Sequence, residues 1–400
     1  MTVAATNPPA QRFSARQQQV EVVRPRIMSR PLALVFVSCF GAAVSFYLLL
    51  SVVPLYATSV VPGGIGAGLT TGALMVSTVA AELATARLAA RFGYRSVLAA
   101  GLLLLGLPAL ALIRAASMPA ILAVSAVRGL GFGITVVVGG ALVAWLIPHQ
   151  RRGEGLGLYG VVVGVPSVAA LPLGVWLAGR AGYPPVFVAG ALATLVGVAA
   201  VPGLPALAAA PREAIGVMAG LRTPALLRPS AAFSATTMAA GVVLTFLPLA
   251  LPRGSGNLAA LGLLVQALVA TVSRWWAGRY GDRHGPAGLL VPGLLASAAG
   301  VLALALVASP AAVLVGMAVF GAGFGVAQNV TLSLMFNRAS TSGYGTVSAL
   351  WNLAYDAGLG VGAAGFGLLA AQTGYPIAFA LTAALVLAAV SPALHDRKAR

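Results

Sequence analysis

Long apolar segments alternate with short polar stretches along almost the whole chain. A helix of about 20 residues crosses the hydrocarbon core of a bilayer, and these segments are about that long or longer. We therefore predict twelve membrane-spanning helices; glycine and proline are tolerated within them because neighbouring helices satisfy the freed backbone groups. The segments are 31–56, 66–88, 96–113, 118–146, 155–178, 184–202, 229–251, 257–279, 287–307, 310–336, 344–370 and 375–394.

The polar stretches divide the chain into two groups of six helices. We predict an N-terminal lobe at 31–202 and a C-terminal lobe at 229–394, joined by a central loop at 203–228 and flanked by tails at 1–30 and 395–400. With alternating spans, 20 basic residues fall on the side of the two tails, and 3 fall on the other side. Because basic loops stay in the cytoplasm, we expect both termini there. Nearly all the basic residues are arginine, which is typical of a GC-rich bacterium, so the expected location is the bacterial inner membrane.

The two lobes repeat each other at a distance of 192 residues. The constant spacing means that no net insertion separates the landmarks, so we infer that the lobes are copies of one structural unit. In so apolar a chain, such a repeat is typical of a two-lobed transporter with a central site between its lobes. The landmarks are Gly182-Tyr183-Pro184 with Gly374-Tyr375-Pro376, Gly131-Phe132-Gly133 with Gly323-Phe324-Gly325, and Arg91 and Gly93 with Arg283 and Gly285.

Composition excludes a soluble domain and disfavours several other classes. The chain is 60% hydrophobic and 8% charged, whereas soluble domains carry about 25% charged residues. A net charge of +17 does not indicate a nucleic-acid partner here, because the basic residues are sparse and lie between apolar segments. The lone Cys39 cannot form an intrachain disulfide, and the three histidines are far apart. We find no phosphate-binding loop, so we predict neither a cofactor, nor a metal, nor an enzyme.

A loop motif follows the eighth apolar segment. Residues 278–285 read G-R-Y-G-D-R-H-G and fit the pattern G-x-x-x-D-R-x-G. This motif resembles the loop signature of the major facilitator superfamily. The resemblance implies an all-α fold of twelve transmembrane helices in two pseudo-symmetric lobes, a monomer, and a cytoplasmic latch in which the acid lies near a helix N-terminus. The latch residues would be Gly278, Asp282, Arg283 and Gly285, with Arg91 and Gly93 in the first lobe.

The first-lobe copy of this motif is degenerate. Ala86 and Ala90 stand where the pattern has glycine and aspartate. Two interpretations stay open: Glu82 compensates from one turn inside the helix, or the latch has weakened.

Two further segments resemble helix motifs of the same family. Arg128 begins an R-G-x-G sequence in the fourth segment, and in proton-coupled members the matching arginine is tied to coupling. The alternative is a structural arginine held by an ion pair or by carbonyl groups. Gly160 and Gly164 in the fifth segment match the family's antiporter motif only weakly, and we expect these glycines to serve close helix packing.

Only two of the seven acids, Glu82 and Asp356, lie within predicted spans. A charge in lipid is costly, so both are functional candidates. Asp356 would take up and release a proton; the alternative is a structural carboxyl bonded to Asn352 one turn earlier or to serine and threonine. Glu82 is related to Arg274 by the repeat. The two would form a charge pair or matching gate residues, or Glu82 would be an interfacial group.

The remaining site candidates are polar or aromatic residues at similar depth. Gln328 and Asn329 in the tenth segment would join Asn352 and Asp356 in a polar cluster of the C-terminal lobe. For the aromatic candidates, ordinary helix packing is the alternative. The predicted cavity residues are Phe46, Gln266, Gln328, Asn329, Trp351 and Asn352.

Together these features predict a secondary transporter in the lipid bilayer. We expect proton-coupled export of a hydrophobic or amphipathic small molecule by alternating access, because the predicted cavity holds few charges. One alternative is proton-coupled uptake of a neutral metabolite. Another is a membrane sensor or partner that does not transport.

Overall fold

The computed structural model of the chain describes residues 28–61, 64–147, 152–205, 220, 222–252, 254–339, 344–391 and 393–394. These residues are almost entirely helical, and no strand occurs among them. Most of the predicted central loop and tails lies outside the described residues.

Twelve α-helices occur in these described ranges. Short 3-10 turns at Val201–Gly203, Pro286–Leu289 and Leu304–Leu306 extend three of the spans. The helices are α1 Arg30–Leu50, α2 Val52–Val60, α3 Gly64–Phe92, α4 Tyr94–Ala111, α5 Met118–Leu146, α6 Arg152–Ala181, α7 Tyr183–Ala200, α8 Pro224–Ala250, α9 Gly256–His284, α10 Leu290–Ala303, α11 Pro310–Asn337 and α12 Tyr344–Ala388.

The first span bends at Ser51, between α1 and α2, and continues from Arg30 to Val60. Pro54 has no N–H, so the carbonyl of Leu50 loses its helical donor and the helix is interrupted here. At this break, the hydroxyl of Ser51 donates to the carbonyl of Leu244 on α8. The break therefore provides a contact between the two lobes.

The last helix contains two spans. Its apolar part has 43 residues, which at 1.5 Å per residue is about twice the thickness of the hydrocarbon core. Gly374 interrupts it with φ of 77°, a backbone conformation that glycine adopts without steric cost. The kink falls between the predicted spans 344–370 and 375–394. The 11 long apolar helices of the described residues thus provide twelve crossings.

The 192-residue repeat is visible in the helix packing. A Cβ on Gly131 of α5 would lie 2.6 Å from the carbonyl oxygen of Gly101 on α4. At the repeat-related positions, a Cβ on Gly323 of α11 would lie 2.5 Å from the carbonyl oxygen of Gly293 on α10. The turn glycines repeat as well: φ is 76° at Gly93, 78° at Gly182, 80° at Gly285 and 77° at Gly374.

The lobes meet along α3 and the first half of α12, with a second contact between α6 and α9. Small residues allow the α3–α12 contact, since a Cβ on Gly68 would overlap the carbonyl oxygen of Ala363. The hydroxyls of Thr71 on α3 and Thr245 on α8 lie 3.0 Å apart. The lobes are therefore in direct contact at the end of the bundle where α3 begins.

The outward surface of the bundle is apolar. Large side chains such as Val76, Val196 and Val361 are exposed on different helices. In water such a surface would be an association hazard, whereas in a bilayer it faces lipid. The surface therefore fits the predicted membrane location.

Candidate functional site

A pair of carboxyl groups connects the two lobes. Glu82 lies on α3 and Asp356 lies on α12, and their side chains lie within hydrogen-bonding reach of each other. Asp356 is only 6% exposed, and Glu82 is half-buried. The two acids that the sequence places inside spans are thus brought together across the lobe interface.

This contact requires a proton. Ionised carboxylates only accept hydrogen bonds, so two of them facing each other have no donor and repel. The Oε1 atom of Glu82 is buried and has no hydrogen-bond partner among the described residues, so no protein donor serves that oxygen. A hydrogen bond between Glu82 and Asp356 therefore forms only when one of the two carboxyls carries a proton.

Two tyrosines and one arginine lie beside the acid pair. Tyr47 of α1 and Tyr355 of α12 interact through their side chains from opposite lobes, and both lie within the electrostatic range of Asp356 and Arg274. Arg274 is exposed on α9, and its Nη1 donates to Oε1 of Gln328 on α11 at 3.2 Å. The site therefore combines an acid pair, two phenols and a guanidinium.

The C-terminal lobe provides the site with an aromatic wall. Trp351 stacks on Phe233 with ring centroids 4.6 Å apart, and its Nε1 donates to Oγ1 of Thr331 at 3.3 Å. Tyr355 continues this wall toward Phe324, at a centroid distance of 6.4 Å. A ligand at this site would meet mainly apolar ring surface.

Glu82 and Arg274 turn to different partners. Glu82 meets Asp356, whereas Arg274 donates to Gln328. The two do not form the predicted charge pair within the described residues, although both belong to the same cluster. Likewise, Asp356 lies within hydrogen-bonding reach of Glu82, while Asn352 is half-buried on the same helix.

Three predicted cavity residues take part in helix packing. Phe46 is 3% exposed and stacks on Phe132 with ring centroids 3.7 Å apart. The side chain of Asn329 lies against Gly278 and accepts from Ser333 at 3.4 Å. Gln266 is buried where α9 packs against Gly321 of α11.

Arg128 is held by carbonyl groups inside the N-terminal lobe. It is 2% exposed, its Nε donates to the carbonyl of Leu105 at 3.1 Å, and its Nη2 donates to the carbonyl of Ser45 at 3.2 Å. Its surroundings contain no carboxyl of the described residues. In this structure, Arg128 is therefore held by carbonyl groups, which was one of the alternatives predicted from the sequence.

The loop motif closes the end of α9. The N–H of Gly285 donates to the carbonyl of Gly281 at 2.9 Å, and a Cβ on Gly278 would lie 3.1 Å from Nδ2 of Asn329. Arg283 is exposed, while the side chain of Asp282 lies outside the described part of the structure. In the first lobe, Arg91 is exposed and its guanidinium carbon lies 5.2 Å from the ring centroid of Phe92.

The prediction that the glycines of the fifth segment, which is α6, serve close helix packing was wrong. A Cβ on Gly160 or on Gly164 of α6 would meet no atom within 4 Å. These glycines therefore do not serve close helix packing in this arrangement, because open space lies beside them.

Sequence reasoning missed Tyr47 and Tyr355. Each is adjacent to a residue already chosen, Phe46 and Asp356. A polar ring beside the intramembrane acid was the available signal for Tyr355. Tyr47 has no such signal, since only the docking of the lobes brings α1 to α12.

The family comparison agrees with this architecture. The family model described as the Major Facilitator Superfamily matches residues 34–363, most of the chain. The chain belongs to the Major Facilitator Superfamily. The family predicted from the loop motif is thus confirmed. None of the curated proteins compared with the chain matches it in sequence.

Solved structures of this superfamily resemble the whole chain. A bacterial homolog to the human lysosomal transporter Spinster, inward-facing and occupied, has a TM-score of 0.79 at 15% identity and covers 92% of this chain and 96% of its own. A D-xylose-proton symporter has a TM-score of 0.74 at 14% identity, covering 91% and 96%. The nucleoside transporter NupG has a TM-score of 0.73 at 13% identity, covering 91% and 99%. At such identities the likeness shows the fold alone.

Membership in the Major Facilitator Superfamily makes this chain a multi-pass membrane transporter of small molecules and not an enzyme. The predicted fold class, an all-helical bundle of the superfamily's type, is confirmed. The residues that carry transport are not given by the fold, because a fold supports many functions and the chemistry lies in the site.

Proposed function

We propose that this transporter couples proton movement to the export of a hydrophobic or amphipathic small molecule by alternating access. The observation that carries the proposal is the carboxyl pair Glu82–Asp356, whose side chains lie within hydrogen-bonding reach of each other between the lobes and so support a shared proton there. We place both termini and the loop motif on the cytoplasmic side, because the arginine-rich loops belong there.

The protonation of the pair is linked to the distance between the lobes. With one proton, a hydrogen bond between a carboxyl and a carboxylate holds α3 against α12, and charge-assisted bonds of this kind are short and strong. Without it, two negative charges face each other and repel. Deprotonation of Glu82 and Asp356 therefore favours separation of the lobes at this level, and protonation favours closure.

A proton and a substrate compete for this position. The closed pair fills the gap between α3 and α12, so a molecule that enters there has to part the two carboxyls. Such mutual exclusion gives exchange of substrate for proton, and an inward proton gradient then drives export. The rings of Trp351 and Tyr355, which lie against the buried Phe233, offer apolar contact. Arg274 and Gln328 offer polar groups to one end of an amphipathic molecule.

Proton-coupled uptake of a neutral metabolite is the second candidate. One structure similar to this chain is that of a D-xylose-proton symporter. In this mechanism, substrate and proton occupy the site together. Arg274 and Gln328 would then bind the polar groups of the substrate while the acid pair keeps its proton.

Proton flux in everted membrane vesicles tests the proposal. Vesicles are energised in the presence of a pH-sensitive dye, and lipophilic cations, neutral antibiotics and sugars are added in turn. We expect recovery of the dye signal with one apolar class in wild-type vesicles and no recovery with Asp356→Asn. The matched control is Thr382→Ala, which removes a buried hydroxyl that bonds only its own helix.

Each other outcome has a defined meaning. An unchanged response in Asp356→Asn removes the coupling role of this carboxyl. Accumulation of a compound together with protons in right-side-out vesicles establishes uptake. Binding to the purified protein without turnover in proteoliposomes establishes a sensor or partner.

A further inference from the structure

A small polar cavity lies inside the N-terminal lobe, away from the acid pair. It is formed by α1, α2, α3 and α5, on the side of the bundle where α3 begins. The free space is about that of one water molecule, and a halide ion is only slightly larger. Its lining residues with polar side chains are Thr70, Thr71, Ser125 and Arg128.

Arg128 presents an unused donor to this cavity. Its Nε and Nη2 donate to the carbonyls of Leu105 and Ser45. Its Nη1 has no hydrogen-bond acceptor among the described residues. Arginine is always charged in proteins, and its surroundings contain no carboxyl of the described residues. A full positive charge is thus buried with only neutral partners, which is costly.

The other lobe demonstrates that this polar set is not required by the fold. At the repeat-related positions 192 residues later, Phe320 replaces Arg128, Met317 replaces Ser125 and Leu263 replaces Thr71. All three replacements are completely buried in the hydrophobic core, although the flanking glycines make the same helix contacts in both lobes. Replacing a buried charge by well-packed apolar residues is commonly neutral or stabilising. Since the fold does not require the buried charge of Arg128, we infer that this charge serves to bind a ligand.

We propose that the Arg128 cavity binds a halide ion, which is chloride in cells. A monovalent anion compensates the guanidinium charge and accepts the free Nη1 donor. The Ser125 hydroxyl now donates to the carbonyl of Ile121, and a hydroxyl hydrogen can rotate toward an anion instead. The small space excludes an organic anion. This site is independent of the acid pair and of the direction of transport.

Chlorine-35 NMR on the purified full-length protein in detergent tests this proposal, because exchange with a protein site broadens the chloride signal. We expect broadening with the wild-type protein, reversed by added bromide, and its loss in Arg128→Met. We expect Ser125→Ala to weaken chloride binding about tenfold, the value of one hydrogen bond to a charged group. The control, Ser297→Ala, removes a buried hydroxyl of the C-terminal lobe that has no hydrogen-bond partner in the described part of the chain and should behave as wild type.

Thermal unfolding in halide or in gluconate gives a second readout. Bromide and chloride should raise the Tm of the wild-type protein and leave that of Arg128→Met unchanged, because only a native state with the site gains from the ligand. A wild-type signal without bromide-reversible broadening would overturn the proposal and leave a water molecule as the occupant. Equal broadening in wild type and Arg128→Met would also overturn it. If Arg128→Met does not fold, Ser125→Ala against Ser297→Ala decides.

Discussion

The N-terminal and C-terminal lobes share one pattern of helix packing, but they differ in their buried charged residues. The N-terminal lobe buries a cation and the C-terminal lobe buries an acid. Close glycine contacts join α4 to α5 and α10 to α11 at repeat-related positions. Asp356 in the C-terminal lobe has Gly164 as its counterpart in the N-terminal lobe, and Arg128 in the N-terminal lobe has Phe320 as its counterpart. The buried acid and the buried cation are thus each confined to one copy.

This difference separates the requirements of the fold from those of the chemistry. Helix pairs that touch through backbone atoms need glycine in both copies, because any Cβ would collide. A polar group that is present in one copy and replaced by an apolar or small residue in the other is not needed for the fold. Asymmetry between the lobes therefore points to functional residues, and Glu82 with Arg274 is the one repeat-related pair in the sequence whose members carry opposite charges.

The largest effect is expected from adding side chains at the shared glycine contacts. Gly131→Val and Gly323→Val force a Cβ against the backbone of the neighbouring helix, where no side chain can move aside. We expect each to cost about 3 kcal/mol or more, with loss of most folded protein. The measurement is the yield of monodisperse protein in detergent. A lobe that tolerates the change would break the equivalence of the two copies.

The second effect concerns the acid pair and leaves the fold intact. In Glu82→Gln the amide donates permanently to Asp356, so the contact persists without a transferable proton. We expect proton-coupled transport to fall about tenfold or more, which corresponds to about 1.4 kcal/mol. The Tm should change little, because the contact between the two side chains persists. The measurement is proton flux in proteoliposomes together with thermal unfolding.

A double-mutant cycle sharpens this test. If the two carboxyls act as one proton site, Glu82→Gln combined with Asp356→Asn loses no more transport than either single change, because interacting residues are not additive. Additive losses would mean two independent sites. The repeat-related Arg274→Gln should add its own loss, since Arg274 bonds Gln328 and not an acid.

Much of the fold was predictable from the sequence, but only part of the site was. The span pattern and the repeat predict the helices, because both follow from local hydrophobicity and from landmarks of fixed spacing. Glu82 and Asp356 were found because a charge within a span is rare. Their contact was not found, since depth along a helix does not reveal which faces of α3 and α12 meet. The place of Phe46 was left open for the same reason: an aromatic residue at cavity depth can line a cavity or pack inside a lobe.

A smaller effect is expected at the turn glycines. Gly93 and Gly285 end equivalent helices with φ of 76° and 80° and ψ of 154° and 143°. Glycine is essentially the only residue that adopts this conformation, and a Cβ there costs about 1–3 kcal/mol. Gly93→Ala and Gly285→Ala should therefore lower the free energy of unfolding by similar amounts, measured by chemical or thermal denaturation. A markedly smaller cost at Gly93 would indicate that decay of the first loop motif extends to its turn.

The smallest effect is expected at Gly164, the counterpart of Asp356. A Cβ there meets open space within α6, so Gly164→Ala adds no clash, and alanine is favoured over glycine in a helix by up to about 1 kcal/mol. We expect an unchanged or slightly raised Tm and unchanged transport. A loss of transport with the Tm unchanged would contradict this, and it would mean that α6 packs tightly at Gly164 in another state of the cycle. In that case the open space beside Gly164 would be a property of one conformation, and the weak antiporter-like motif of α6 would act when the lobes rearrange.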